Sequence, residues 1–212
     1  MISIPIKFKH DLESETQRVK EIFDNLEWLN KNNYRFLLPD KIANTEGNIE
    51  LIKKLVEDEY DPNIYEIAEK AILKSWEGNR ELIGKINQKM IGSNLLSDLT
   101  IILTRYGTQG SYMTPNSAII NISTGTPPEF LIKTVIHESL HLMIQHLINK
   151  YSVEHWVKEH IVDLIMDLEY QSRFKMQPVP DWVLSIDSIF EKSYPDLDLI
   201  TKEVAKISPT TT

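Results

Sequence analysis

The segment VIHESLHLM, residues 135–143, places two histidines four positions apart with a glutamate directly after the first. On an α-helix, His137 and His141 lie one turn apart and about 40° around the axis, so both imidazoles can bind one ion. Glu138 is rotated by about 100° from His137, where a carboxylate can accept a proton from a water on that ion. The spacing predicts a metal site with an adjacent general base, although so short a motif also occurs by chance.

A catalytic site built on two histidines needs a third protein ligand and keeps one position for water. The apolar segment 153–170, a predicted helix, carries a polar residue every four positions: His155, Glu159, Asp163 and Asp167. Seventeen residues, 142–158, separate His141 from Glu159, enough for a second helix to return alongside the first. We therefore predict Glu159 as the third ligand and Asp167 as a solvent-facing residue. Asp163 is predicted to accept the other ring N–H of a ligating histidine.

The pattern His-Glu-x-x-His followed by Glu-x-x-x-Asp resembles the gluzincin clan of zinc metallopeptidases, to which thermolysin belongs, and in particular its small members, the minigluzincins. The resemblance covers about residues 99–170. It implies Zn²⁺ as cofactor and a peptide or protein as substrate. The roles it implies are metal ligands at His137, His141 and Glu159, the general base at Glu138, and an orienting carboxylate at Asp163.

The same resemblance implies an edge strand immediately before the zinc helix, here NSAIINIST (116–124), which would pair with an extended substrate. It also implies a tyrosine or histidine that stabilises the oxyanion, for which His155, Tyr112 and Tyr170 are candidates. The short spacing to Glu159 and the lack of a Gly-x-Met-Glu-Asn motif depart from the larger members and the aminopeptidases. An endopeptidase, or a peptidase of narrow specificity, is therefore expected.

Two other histidines give alternative interpretations. His146 lies about 180° around the helix from His137, and the segment lacks the glycine turn of metzincins, so His146 is predicted to be a partly buried, hydrogen-bonded residue. His160 as third ligand would resemble the SprT-type peptidases, which are linked to DNA-bound substrates. A further alternative is a non-catalytic helical interaction protein whose metal motif is accidental or structural.

The composition narrows the class of protein. A formal net charge of −8 over 212 residues disfavours a nucleic-acid-binding face. The chain has no cysteine, so metal ligands must come from His, Asp or Glu. The start, MISIPIKFKH, lacks a signal-peptide core, and no apolar run approaches the roughly 18 residues of a membrane span. We expect a cytoplasmic protein without nucleic-acid or membrane partners.

The predicted architecture is α+β, mostly helical, with a small mixed β-sheet. We expect a single domain, 1–212, with a mainly helical N-terminal lobe (1–95) and a catalytic core (96–207) that contains both active-site helices. Predicted strands cover 2–9, 98–107 and 116–124, and a loop or irregular hairpin connection over 107–115 joins the last two. Predicted helices cover 12–31, 48–59, 63–91 with breaks at Gly78 or Gly84, 127–149 with Thr126 and Glu129 at its start, 153–170 capped by Ser152, 181–192 and 196–207.

Overall fold

The computed structural model describes residues 4–123, 126–170 and 176–207. Within these ranges the fold is α+β and mostly helical, as predicted. The strands are β1 (Ile6–Lys9), β2 (Leu99–Thr104), β3 (Gly110–Met113) and β4 (Ser117–Asn121). The α-helices are α1 (Leu12–Asp24), α2 (Leu26–Lys31), α3 (Ile49–Glu59), α4 (Pro62–Lys89), α5 (Pro128–Tyr151), α6 (His155–Glu169), α7 (Asp187–Ser193) and α8 (Leu197–Val204), with 3₁₀ turns at Ile42–Thr45 and Asp181–Ile186.

The described strands form one mixed sheet in the order β1-β2-β4-β3. β1, β2 and β4 are parallel, whereas β3 runs antiparallel to β4. β4 is therefore internal, and the prediction that segment 116–124 forms the edge before the zinc helix is wrong. The edge strand on this side is β3, which lies inside the segment 107–115 that was predicted as a loop or an irregular hairpin connection. Residues 2, 3 and 124 of the predicted strands lie outside the described residues.

The sheet belongs to a compact unit formed by Pro5–Gly78 and Leu99–Glu138. The β-branched residues of β2 and β4 are mostly buried on both faces, as parallel strands usually are. Helix α1 packs against α3, and the fully buried side chains of Val19, Ile52 and Val56 form a core there. The buried carboxylate of Glu15 joins α1 to β2 by accepting a hydrogen bond from the Thr104 hydroxyl.

A second compact unit consists of Met1–Ile4, Asn79–Asp98 and Ser139–Thr212. Its described part is helical, with fully buried side chains from α5, α6 and α8, including Ile144, Ile161 and Ile200. The two units interleave along the chain, so the division differs from the predicted lobes 1–95 and 96–207. No helix in the described ranges combines the length and apolar character needed to cross a bilayer.

Several helix boundaries differ from the predictions. α4 continues through Gly78 and Gly84 without a break, whereas the predicted helix 12–31 is interrupted at Asn25. α5 begins at Pro128, one residue late, and the Thr126 hydroxyl donates to a carbonyl of the preceding loop. α6 is capped by the Glu154 side chain rather than by the predicted serine.

Candidate metal centre

His137, His141 and Glu159 lie together in the described part of the chain. Each offers one potential ligand atom, and these atoms all lie within 4.8 Å of one another. His141 Nε2 is 3.2 Å from Glu159 Oε2. An ion bound tetrahedrally at about 2.0–2.2 Å would hold its ligand atoms about 3.4 Å apart. Small side-chain rotations would therefore complete the site, and the three residues fit a metal ion.

Helix α5 holds the two histidines rigidly. Because α5 runs unbroken from Pro128 to Tyr151, His137 stands one turn before His141. Every residue from 134 to 144 is buried, so packing surrounds this part of the helix. A fixed backbone and close packing leave the imidazoles few alternative rotamers.

Helix α6 delivers the carboxylate of Glu159. The Glu154 side chain accepts hydrogen bonds from the backbone N–H groups of Trp156 and Val157, which fixes the start of the helix one turn before Glu159. Glu159 is 7% exposed, whereas Asp167, two turns later, is exposed as predicted. Burying a carboxylate costs free energy unless a charge or hydrogen-bond donor pairs with it. The partners of Glu159 therefore determine how its buried carboxylate is stabilised.

Two contacts of Glu159 were not predicted from the sequence. Lys158 Nζ lies 3.0 Å from Glu159 Oε1, and Gln177 Nε2 donates to Glu159 Oε2 at 3.3 Å. Lys158 is adjacent in sequence, but neighbours on a helix normally point in different directions. Gln177 follows α6 in a segment without periodicity, so no sequence pattern indicates its position.

The predicted orienting residue, Asp163, is fully buried one turn after Glu159. Its Oδ2 accepts a hydrogen bond of 2.7 Å from the backbone N–H of Gln177. Gln177 thus contacts two acidic residues of α6 at once. Orientation of a histidine by Asp163 stays a prediction.

The predicted general base, Glu138, is buried against the start of β3. A side chain at Gly110 would overlap the Glu138 carboxylate and the Thr134 methyl group, so only glycine allows this close approach. Thr134 in turn accepts a hydrogen bond from Gln109. The carboxylate is therefore confined between α5 and the edge strand.

Arg18 of α1 is a buried cation that acts on Glu138. Its guanidinium packs against Gly107, whose φ of +84° favours glycine, and donates to the Thr108 hydroxyl. Burial lowers the pKa of Arg18, while the carboxylates of Glu21 and Glu138 act in the opposite direction. Arg18 therefore contributes a buried positive charge that interacts with Glu138, the predicted general base.

The oxyanion candidates lie in different surroundings. His155 is the first residue of α6 and contacts the Trp156 ring edge to face. Burial, and then the charge of Lys158, lowers the pKa of His155, so its imidazole is neutral near about pH 7. Tyr112 lies in the edge strand opposite Ala118. The assignment of an oxyanion role to either residue stays a prediction.

Tyr170 is less suitable for that role. Its hydroxyl donates to Asn79 Oδ1, and eleven residues of helical rise, about 16 Å, separate its backbone from that of Glu159. His146 is hydrogen-bonded to the Gly92 carbonyl, and its intermediate burial confirms the predicted structural role. Buried His160 is hydrogen-bonded to Asp187 and is not part of the candidate cluster.

No family model matches the chain, and no curated protein or solved structure is significantly similar to it. The chemistry of the site must therefore be inferred from its own residues. Two imidazoles and one carboxylate are a donor set that catalytic zinc sites use, and imidazole nitrogen also suits copper, iron and nickel.

Proposed function

We propose that the protein is a zinc-dependent peptidase in which His137, His141 and Glu159 bind the metal and Glu138 is the general base. The convergence of the three ligand residues within 4.8 Å carries this proposal. Structural zinc sites use four protein ligands, whereas catalytic sites use three and keep one position open. The cluster found in the described residues has three.

A zinc ion in this site would polarise a substrate carbonyl and make the attacking water more acidic. Glu138 accepts a proton from that water and donates it to the leaving amine nitrogen. Confinement by Gly110 keeps the carboxylate in one place, and the buried Arg18 guanidinium interacts with it electrostatically. These residues therefore supply the positioning and the proton transfer that peptide hydrolysis requires.

The edge strand β3 supports an extended peptide as substrate. β3 pairs only with β4 in the described sheet, so it is an edge strand of the kind that can pair with an extended peptide, and its Gly110 carbonyl also accepts a hydrogen bond from the Thr108 hydroxyl. Gly110, its first residue, lies against Glu138. A peptide that pairs with β3 would run past the general base, which favours cleavage within a chain over removal of a terminal residue.

The test compares the wild type with Glu138→Gln and His141→Ala for zinc content and for cleavage of a peptide library, read by mass spectrometry. Glu138→Gln is expected to keep one zinc ion and lose about 10²–10⁴-fold in rate. His141→Ala is expected to lose both zinc and cleavage. Full activity of Glu138→Gln would reject the assigned base, and a zinc-loaded wild type that cleaves no peptide would favour a non-catalytic protein with a structural metal.

A further inference from the structure

The two carboxylate oxygens of Glu159 have different partners. Oε1 lies 3.0 Å from Lys158 Nζ, whereas Oε2 lies 3.2 Å from His141 Nε2. Oε2 is thus the oxygen that faces His141. Oε1 faces a cation from the same helix.

The ion pair of Lys158 with Glu159 differs from the surface ion pairs of this protein. Pairs such as Lys85 with Glu81 are exposed and spaced four residues apart along a helix, an arrangement worth little energy. The Lys158 and Glu159 side chains are 13% and 9% exposed, so water screens their attraction weakly. Adjacent helical residues do not normally face each other, so Lys158 must fold back to reach its neighbour.

Resting on the proposed function, we propose that Lys158 is a positioning residue that restricts Glu159 to binding the metal through Oε2 alone. Coordination through both oxygens would draw electron density away from Oε1 and weaken its largely buried ion pair with Lys158, which is unfavourable. It would also bring the metal closer to the Lys158 charge. One-oxygen binding gives the metal three protein ligand atoms and preserves the open position on which catalysis depends.

Gln177 supports the same orientation from the other side. Its amide donates to Glu159 Oε2 at 3.3 Å, and its backbone N–H donates to Asp163 at 2.7 Å. A carboxylate oxygen has two lone pairs, so Oε2 can accept this bond and bind a metal at once. Both oxygens are therefore held, and rotation of the carboxylate is opposed at each end.

Cobalt substitution tests this inference without relying on activity, because the visible bands of Co²⁺ weaken as its coordination rises from four to five. Wild type and Lys158→Arg are expected to give intense four-coordinate bands. In Lys158→Met, the visible absorbance per bound Co²⁺ is expected to be severalfold lower than in the wild type, while the affinity for Co²⁺ is not reduced. Lys158→Ala provides the same comparison if the methionine variant folds poorly, because alanine has the highest helix propensity.

Lys89→Met is the matched control. It removes an ion pair between Lys89 and Glu169, and Glu169 lies on α6, ten residues after Glu159. Its spectrum should equal that of the wild type. A wild-type spectrum for Lys158→Met at saturating Co²⁺ would overturn the inference and leave the proposed metal site intact. If the wild type binds no Co²⁺, both this inference and the proposed metal site are rejected. If the expected spectral change occurs in a protein without peptidase activity, only the proposed peptidase function is rejected.

Discussion

His141 Nε2 and Glu159 Oε2 lie 3.2 Å apart, although seventeen residues and a turn between two helices separate them in the chain. Both side chains are buried. This distance is close to that between ligand atoms of one tetrahedral ion. α5 and α6 therefore hold the two side chains at a distance that one metal ion could bridge.

Zinc is expected to stabilise the folded protein, because the triad exists only when the two helices are packed. At free zinc about one hundred times Kd, the added stability is about 2.7 kcal/mol, which corresponds to roughly 5–10 °C in Tm for a chain of this size. Scanning fluorimetry with and without a chelator measures the shift. His141→Ala should show no shift, and an equal shift in that variant would place the bound zinc elsewhere.

Gly110→Ala is expected to impair catalysis without removing the metal. The added methyl group would overlap the Glu138 carboxylate and must displace it, and a displacement of about 1 Å at a reacting group can cost about 100-fold in rate. Zinc content by elemental analysis and kcat on a cleaved peptide give the two readouts.

Gly78→Ala is the matched control for that substitution. Nothing lies within 4 Å of the added methyl group, and Gly78 is exposed in the middle of α4. The kcat of Gly78→Ala should equal that of the wild type, and its free energy of unfolding should be higher by up to about 1 kcal/mol. Equal rates for the two alanine variants would show that Gly110 does not position the general base.

The stability contributed by Glu15 should depend on pH. Glu15 is 1% exposed and accepts hydrogen bonds from the Tyr65 and Thr104 hydroxyls and the Arg105 backbone N–H. Burial raises the pKa of Glu15 above its ordinary value of 4.5, although the hydrogen bonds act against this shift. A raised pKa in the folded state gives stability that is present below pH 4.5 and lost as the pH rises through the folded pKa.

In the Glu15→Gln variant, the stability contributed by this position does not depend on pH, because the glutamine amide does not titrate. The difference in unfolding free energy, wild type minus variant, should therefore be larger at about pH 5 than at about pH 8. Urea unfolding at both values measures the difference. A difference that grows with pH would mean that the pKa of Glu15 is lowered instead.

Local patterns predicted the parts of the site that depend on helical spacing. The four-residue stripe on α6 indicated Glu159, and the fold places it beside His141. The contacts of Lys158 and Gln177 could not be predicted, because one requires a side chain to fold back and the other joins residues through a segment without periodicity. Neither contact leaves a repeating pattern in the sequence.

The sheet edge was mispredicted for a related reason. β3 has only four residues, begins with glycine and serine, and none of its residues is buried, so it shows no apolar alternation. Once β3 is overlooked, β4 is wrongly taken as the edge. Gly78 and Gly84 do not break α4, because the buried side chains of Trp76 and Ile83 stabilise the helix by packing, which offsets a helix penalty of about 1 kcal/mol per glycine.

The most direct test of the metal centre is a calorimetric zinc titration of the wild type and its alanine variants. The wild type should bind one zinc ion. His137→Ala, His141→Ala and Glu159→Ala should each weaken binding by more than the roughly 10–100-fold typical of residues that only support a ligand. His146→Ala, which alters a histidine bonded to the Gly92 carbonyl, should bind zinc like the wild type. Unchanged affinity in all three ligand variants, or a wild type that binds no zinc, would contradict the assignment.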